Sequence, residues 1–272
     1  MYYKNSKFII NNYIKVISEI SSCLDKDKIV VYEVVRLIEN KILFFEDHLE
    51  RLFNSYKHLN IKPSLSEQQI SNQLQQLIET NKISNGNIKF QFQIDKKTSN
   101  QDFIAFFIPH SYPTTKQYNE GIKVSVLNAS RINPNAKIQD TSLRDISNQI
   151  IDNDKVYEVL LLNSKGFVTE GSRSNLFMIK DNVVKTPPNE DILPGITRKY
   201  VIQACNELKI DCLQTRITVE EMLTMDALFI SGTSPKILPI NSIGTRRFNA
   251  NNGCLRSIMK HFDEIINFYL KR

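Results

Sequence analysis

Residues Tyr157 to Ile179 read YEVLLLNSKGFVTEGSRSNLFMI, and the architecture of the chain hangs on them. The apolar runs Val159 to Leu162 and Leu176 to Ile179 have the length and composition of buried strands. Between them lies a third β-prone run, Gly166-Phe167-Val168-Thr169. It ends at Glu170 and the polar turn Gly171-Ser172-Arg173-Ser174-Asn175. Strands on both sides carry Glu170 into the interior, where a carboxylate keeps its charge only if a cation or strong donors meet it. The stretch therefore predicts a buried, partnered glutamate.

Downstream, Leu193-Pro194-Gly195-Ile196-Thr197-Arg198 reads as the start of a helix. Pro194 suits the first helical position, and Ile196, Tyr200, Ala204 and Leu208 follow at helical spacing. The backbone N–H groups of Gly195, Ile196 and Thr197 at such a start, together with the helix dipole, form an anion site. Farther on, the strand Ala227 to Ile230 runs into Ser231-Gly232-Thr233-Ser234.

Upstream, the strand Ile122 to Leu127 precedes Arg131-Ile132-Asn133-Pro134-Asn135-Ala136-Lys137. A loop lysine is ordinarily a solvated charge. Earlier still, Asp47 is placed to cap a helix with Leu49, Leu52, Phe53 and Tyr56 along one side and His48, Arg51, Ser55 and His58 along another. Taken alone, Arg51 is a solvated helix residue. Its planar fork nevertheless suits a phosphate, because its donors never lose their charge.

Glu170-Gly171-x-x-x-Asn175, Leu193 to Arg198, Ser231 to Ser234 and His48-Leu49-Glu50-Arg51-Leu52, in this order and spacing, resemble the fold type IV family of pyridoxal-phosphate enzymes. That family holds the branched-chain and D-amino acid aminotransferases and aminodeoxychorismate lyase. The resemblance covers most of the chain from about Val30 to Ile240. It implies an α+β fold with the two-domain D-amino acid aminotransferase-like architecture and pyridoxal 5'-phosphate as cofactor. By the same resemblance Lys137 forms the Schiff base and Glu170 meets the protonated ring nitrogen. Arg51, Ile196, Thr197 and Thr233 hold the phosphate, and Ser234 meets the substrate carboxylate. Tyr32, in Val31-Tyr32-Glu33-Val34, corresponds to a substrate-facing tyrosine of the D-amino acid enzymes; a half-buried strand tyrosine is the bland alternative. Homodimers are common in the family, so a homodimer is expected here.

The implied reaction moves an amino group between an amino acid and a 2-oxo acid. The alternative is the lyase reaction on aminodeoxychorismate, which releases pyruvate from the same cofactor site. The resemblance does not select a substrate. Thr141-Ser142 stands where branched-chain enzymes place a tyrosine, and Gln91-Phe92-Gln93 lacks the arginine and histidine of the D-amino acid enzymes. Lys236 also replaces a glutamate of the family pattern. Arg144 and Arg173 are spare cations that suit a substrate carboxylate.

At 272 residues the chain is long enough for two domains. We place them at 1–112 and 121–272, joined by the polar, Pro113-containing stretch from His110 to Gly121. The first contains the hairpin Lys7 to Ile17, strand material from Ile29 to Leu43 broken at Glu39-Asn40, a helix over Ser66 to Asn81, and alternating strands Asn87 to Asp95 and Phe103 to Pro109. The second ends in a short helix, Glu220 to Met225, and a long amphipathic one, Cys254 to Leu270. The net charge of +6 comes from Lys and Arg interleaved with acids throughout, which argues against a nucleic-acid partner. Apolar runs fall short of the roughly 20 residues of a membrane helix, and no signal-like stretch opens the chain, so a cytoplasmic protein is expected. Four scattered cysteines without a C-x-x-C pair read as reduced thiols, and four isolated histidines offer no metal site.

Overall fold

The computed structural model describes residues 6–131 and 133–272. They fall into two compact units. One ends at Ser111 and also takes in Ala136–Gln139; the other comprises Tyr112–Asn135 and Asp140–Arg272.

In the first unit, β1 (Lys7–Ile10) and β2 (Tyr13–Val16) form the expected hairpin. It turns at Asn11 and Asn12, both at positive φ, as a two-residue hairpin loop requires. After the short α1 (Ile20–Cys23), strands β3 (Ile29–Ile38) and β4 (Lys41–Ile42) are separated at Glu39-Asn40 as their sequence indicates. Helices α2 (Phe45–Leu59) and α3 (Glu67–Asn81) follow, then β5 (Gly86–Ile94) and β6 (Gln101–Ile108). Asp47 does not cap α2, because the helix starts earlier, from Phe44 in a left-handed conformation. It stands instead in the first turn, where its charge complements the dipole. Ser66 and Gln69 close a capping box on α3.

The six strands run β2-β1-β6-β5-β3-β4, all antiparallel. Leu49, Leu52, Tyr56, Leu74 and Leu77 pack against Val31, Val35, Phe90, Phe92 and Phe103 in one core. The alternation expected in β5 and β6 gives way to burial on both faces. Ile104 and Phe106 are covered on the second face by Phe8, Ile17 and Ile20, and the Gln93 amide is tied to the Cys23 carbonyl and the Asp25 N–H, each at 2.7 Å.

The second unit begins with α4 (Thr115–Glu120), so the expected linker contains a helix, started by a Thr114/Gln117 capping box. Next come β7 (Ile122–Asn128), α5 (Thr141–Asp154), β8 (Glu158–Leu162), β9 (Phe167–Gly171), β10 (Asn175–Lys180) and β11 (Val183–Thr186). The remainder is α6 (Ile196–Glu207), β12 (Cys212–Gln214), β13 (Ile217–Thr218), α7 (Val219–Leu223), β14 (Ala227–Gly232), β15 (Lys236–Ile243), β16 (Arg246–Arg247) and α8 (Gly253–Lys271). All three runs of the opening stretch are strands.

Helix α5 has no counterpart in the sequence reading, although Leu143, Ile146, Ile150 and Ile151 stand at helical spacing; of its residues only Leu143 and Ser147 are buried. Topology demands it: β7 and β8 are parallel neighbours and need a crossover. Pro194 lies outside α6, whose N-cap is Gly195, and the buried face is Ile196, Thr197, Arg198, Val201, Ala204 and Cys205, without Tyr200 or Leu208. The four cysteines are free. Among the described residues no helix is long and apolar enough to cross a membrane, and no metal-holding cluster of His, Cys, Asp or Glu occurs.

The ten-stranded mixed sheet turns back on itself. Strands β10, β14, β15, β7, β8 and β9 are neighbours in that order, and β9 pairs with β10 again through Glu170 and Asn175. The glutamate of the opening stretch thus sits where a ring of six strands closes.

Candidate functional site

In the second unit Glu170 is 3% exposed. Its Oε1 accepts from Arg131 Nε at 2.8 Å, and Arg131 Nη2 donates to the Ser172 carbonyl at 2.6 Å. The partner that burial demanded is therefore Arg131. Glu170 Oε2 accepts the Leu193 N–H at 3.2 Å, while Asn175 Nδ2 donates to the Leu193 carbonyl at 2.9 Å. The closure pair holds both backbone polar groups of one residue, Leu193, and so sets the approach to α6. Behind the turn, Glu158 is buried and accepts from Ser172 Oγ at 2.6 Å, Ser174 Oγ at 2.9 Å, Val159 N at 2.8 Å and Arg173 N at 3.1 Å. Those four donors satisfy a buried carboxylate and lock the turn's shape.

Ile196 and Thr197 open α6, and no side chain caps their end of the helix. Arg198 anchors it from below, donating to Asn189 Oδ1 at 2.6 Å and to the Pro187 carbonyl at 2.9 Å. At Gly195 an added Cβ would lie 1.9 Å from Asn175 Oδ1. Gly195→Ala should therefore displace the turn and lower folding stability by about 1–3 kcal/mol, read by chemical denaturation.

Thr233 and Ser234 form the turn between β14 and β15, where Gly232 pairs with Lys236. Just before it, Ser231 is fully buried and its Oγ has no hydrogen-bond partner among the described residues. Lys236 reaches α8 and pairs with Asp263 at 2.8 Å. Arg173 donates to Asn148 of α5, and burial together with the charge of Arg144 lowers its pKa. The two spare arginines are thus neighbours.

In the first unit, alternation along β3 turns Glu33 toward α2 and Tyr32 to the opposite face. Glu33 is fully buried. Arg51 Nε and Nη2 donate to its two oxygens at 2.8 and 2.6 Å, and His48 Nδ1 meets Oε2 at 2.7 Å. Burial alone would raise the Glu33 pKa, but the Arg51 charge and the hydrogen bonds from His48 and Arg51 outweigh it and hold it at about 2. Burial lowers the His48 pKa against the pull of Glu33, with the charges of Arg51 and Lys137 acting in the same sense as burial. A carboxylate only accepts, so a neutral His48 carries its proton on Nδ1 and keeps a lone pair on Nε2.

The segment 136–139 lies along β3. Tyr32 N–H donates to the Lys137 carbonyl at 3.2 Å and Gln139 N–H to the Val30 carbonyl at 2.9 Å, around a bridge between Val31 and Ile138. Ser55 Oγ accepts the Lys137 N–H at 3.0 Å and donates to the Arg51 carbonyl at 2.9 Å. Lys137 Nζ stands 4.8 Å from the centroid of the Tyr32 ring. Tyr32, Arg51 and Lys137, chosen separately from the sequence, therefore share one network.

A family model, amino-transferase class IV, matches residues 30–243. The chain belongs to this family. Class IV aminotransferases are enzymes. A D-alanine aminotransferase of Bacillus licheniformis is 28% identical over 78% of this chain and 78% of its own length. An aminodeoxychorismate lyase of Bacillus subtilis is 28% identical over 82% of this chain and 80% of its own. A branched-chain amino acid aminotransferase structure from Escherichia coli superposes with a TM-score of 0.85 over 97% of this chain and 95% of its own, at 21% identity, which shows the shared fold.

Within this family fold, several residues of the networks had no role in the sequence reading: Glu33, His48, Ser55, Arg131 and Glu158. The signal for Glu33 was a lone acid inside the apolar run Val30 to Val35, and for Arg131 the charge that a buried Glu170 requires. Ser55 and Glu158 left no signal, since a helix serine and a strand-end glutamate are ordinary surface residues.

Proposed function

We propose that this chain is a pyridoxal-phosphate-dependent transaminase moving an amino group between an amino acid and a 2-oxo acid, with Lys137 as the reactive amine. The observation that carries the reading is the buried, arginine-held Glu170 in its E-G-x-x-x-N turn, inside a chain that matches the class IV family. The residues fit the cofactor in kind. An ionised carboxylate has lone pairs beyond those taken by Arg131 and Leu193 and suits a protonated ring nitrogen. The uncapped start of α6 and the orphaned Ser231 hydroxyl suit a phosphate.

Pyridoxal phosphate, when bound, supplies an electron sink for the bond broken at the substrate α-carbon. In this reading Glu170 holds a proton at the ring nitrogen, its own charge maintained by Arg131. Arg51, oriented by Glu33, and the Ile196 and Thr197 amides with the Thr233 hydroxyl bind the phosphate. Lys137 would be the amine that holds the cofactor, and would carry a proton to and from the substrate during turnover. Tyr32, Ser234, Arg144 and Arg173 face the substrate, the arginines meeting a carboxylate. The working form is taken as a cytoplasmic homodimer, which sedimentation equilibrium of the purified protein tests for its assembly state.

The purified protein should show a visible absorbance band that borohydride abolishes, leaving a tag on the peptide containing Lys137. A colourless protein after incubation with pyridoxal phosphate, or a tag on another lysine, refutes the assignment. The lyase relative supports a second reading, 4-amino-4-deoxychorismate lyase. Pyruvate release from aminodeoxychorismate with no added 2-oxo acid would establish it over transamination.

A further inference from the structure

The sheet fixes the backbone of Glu170 through its pairing with Asn175, and that of Gly171 through Leu160. It does not fix the Glu170 carboxylate, which turns on the bonds of its own side chain. Arg131, whose Nε meets that carboxylate at 2.8 Å, lies past the end of β7 and outside every strand and helix. Its guanidinium takes a bearing from the Ser172 carbonyl, which accepts from Nη2 at 2.6 Å.

That carbonyl is one end of the peptide unit joining Ser172 to Arg173. The other end, the Arg173 N–H, donates to Glu158 Oε2 at 3.1 Å. In a trans peptide the C=O and N–H point in opposite directions, so one rigid plane spans from Glu158 to Arg131. Turned over, it would set its carbonyl against the Glu158 carboxylate and its N–H against the Arg131 guanidinium. Both contacts would be repulsive. The hydroxyls of Ser172 and Ser174 tie the two sides of this peptide to Glu158 at 2.6 and 2.9 Å, and the Val159 N–H holds Glu158 Oε1 at 2.8 Å. The turn is closed tightly on the acid: a Cβ added at Gly171 would lie 2.1 Å from Ser174 Oγ and 3.1 Å from Glu158 Cδ.

We propose that Glu158 is a positioning residue for the Glu170 carboxylate: through the Ser172–Arg173 peptide it aims the carbonyl that orients Arg131, and Arg131 holds Glu170 toward the ring nitrogen. This rests on the reading of Glu170 as the partner of that nitrogen. Glu158 touches neither cofactor nor substrate in that reading; it acts through Glu170.

The test uses the full chain freed of cofactor and two probes, pyridoxal phosphate and its analogue with a CH group in place of the ring nitrogen. Affinities are read by equilibrium dialysis, so no turnover is needed. Both probes carry the same aldehyde and phosphate, and the ratio of their affinities isolates the contact at the nitrogen. The wild-type chain should prefer pyridoxal phosphate by about tenfold or more, the size of a hydrogen bond between charged groups. Glu158→Gln should cut this preference to about threefold or less, because its NH2 group must face either the Arg173 or the Val159 N–H, and neither backbone donor can turn away. Glu158→Asp, which keeps the carboxylate but draws it back from its donors by one methylene, serves if the Gln variant does not fold and should lower the preference in the same direction. A role confined to stability would weaken both probes alike, so a folded variant with an unchanged ratio overturns the proposal. A wild-type chain that binds both probes equally would instead show that Glu170 does not serve the ring nitrogen, and that reading would fall together with the proposal.

Discussion

Lys137→Ala is expected to lower turnover by at least about a thousandfold, with the visible band of the loaded protein lost and no peptide tagged by borohydride, because the side chain proposed as both nucleophile and proton carrier is removed. Steady-state kinetics with a range of amino donors, alongside the spectrum, check this. Folding should be nearly unaffected. The contacts that pin segment 136–139 are made by backbone atoms, Lys137 N to Ser55 and Lys137 O to Tyr32, and alanine keeps both. A variant that retains turnover would show that another amine does the work.

Glu33→Gln is expected to cost about 3–5 kcal/mol of folding stability, since removing one member of a buried ion pair leaves the other charge uncompensated. Arg51 would keep its charge at 8% exposure with a neutral amide in place of its carboxylate. The loss should depend on pH in a definite direction. The folded-state pKa of Glu33, about 2, lies below the ordinary glutamate value. Its stabilisation is therefore complete above that ordinary value and disappears as the pH falls toward about 2. His48 acts in the same sense at higher pH, because its folded-state pKa is also depressed. The unfolded chain takes up that proton first, and stability begins to drop below about pH 6.5. Urea denaturation of wild type and variant from neutral pH downward should show two curves that converge in acid. A constant gap would mean that the carboxylate's charge contributes nothing.

Lys137 and Glu33 also mark how much of the site could be read from the chain. The strands around Glu170 follow from short continuous apolar runs, and the helix after Pro194 and the apolar side of α2 from a period of 3.6, which neighbouring residues carry by themselves. Local pattern left other elements unread. In α5 Leu143, Ile146, Ile150 and Ile151 stand at helical spacing, but it is the parallel pairing of β7 and β8 that requires a crossover there. In β5 and β6 a second covering layer replaced the expected alternation.

The sequence by itself determined the three strands of the opening stretch, the acid at the end of β9 and the helix start that follows it. These depend on residues close together along the chain. Only the tertiary structure decided which charges meet: Arg131 lies 39 positions from Glu170, and Arg51 lies 18 from Glu33. It also decided that Ala136–Gln139 belongs with the first unit and that Lys89 and Lys137 share one aromatic ring. The physical reason is that a buried charge specifies that it needs an opposite partner but not which one; strand register and crossover path bring a particular side chain within about 3 Å.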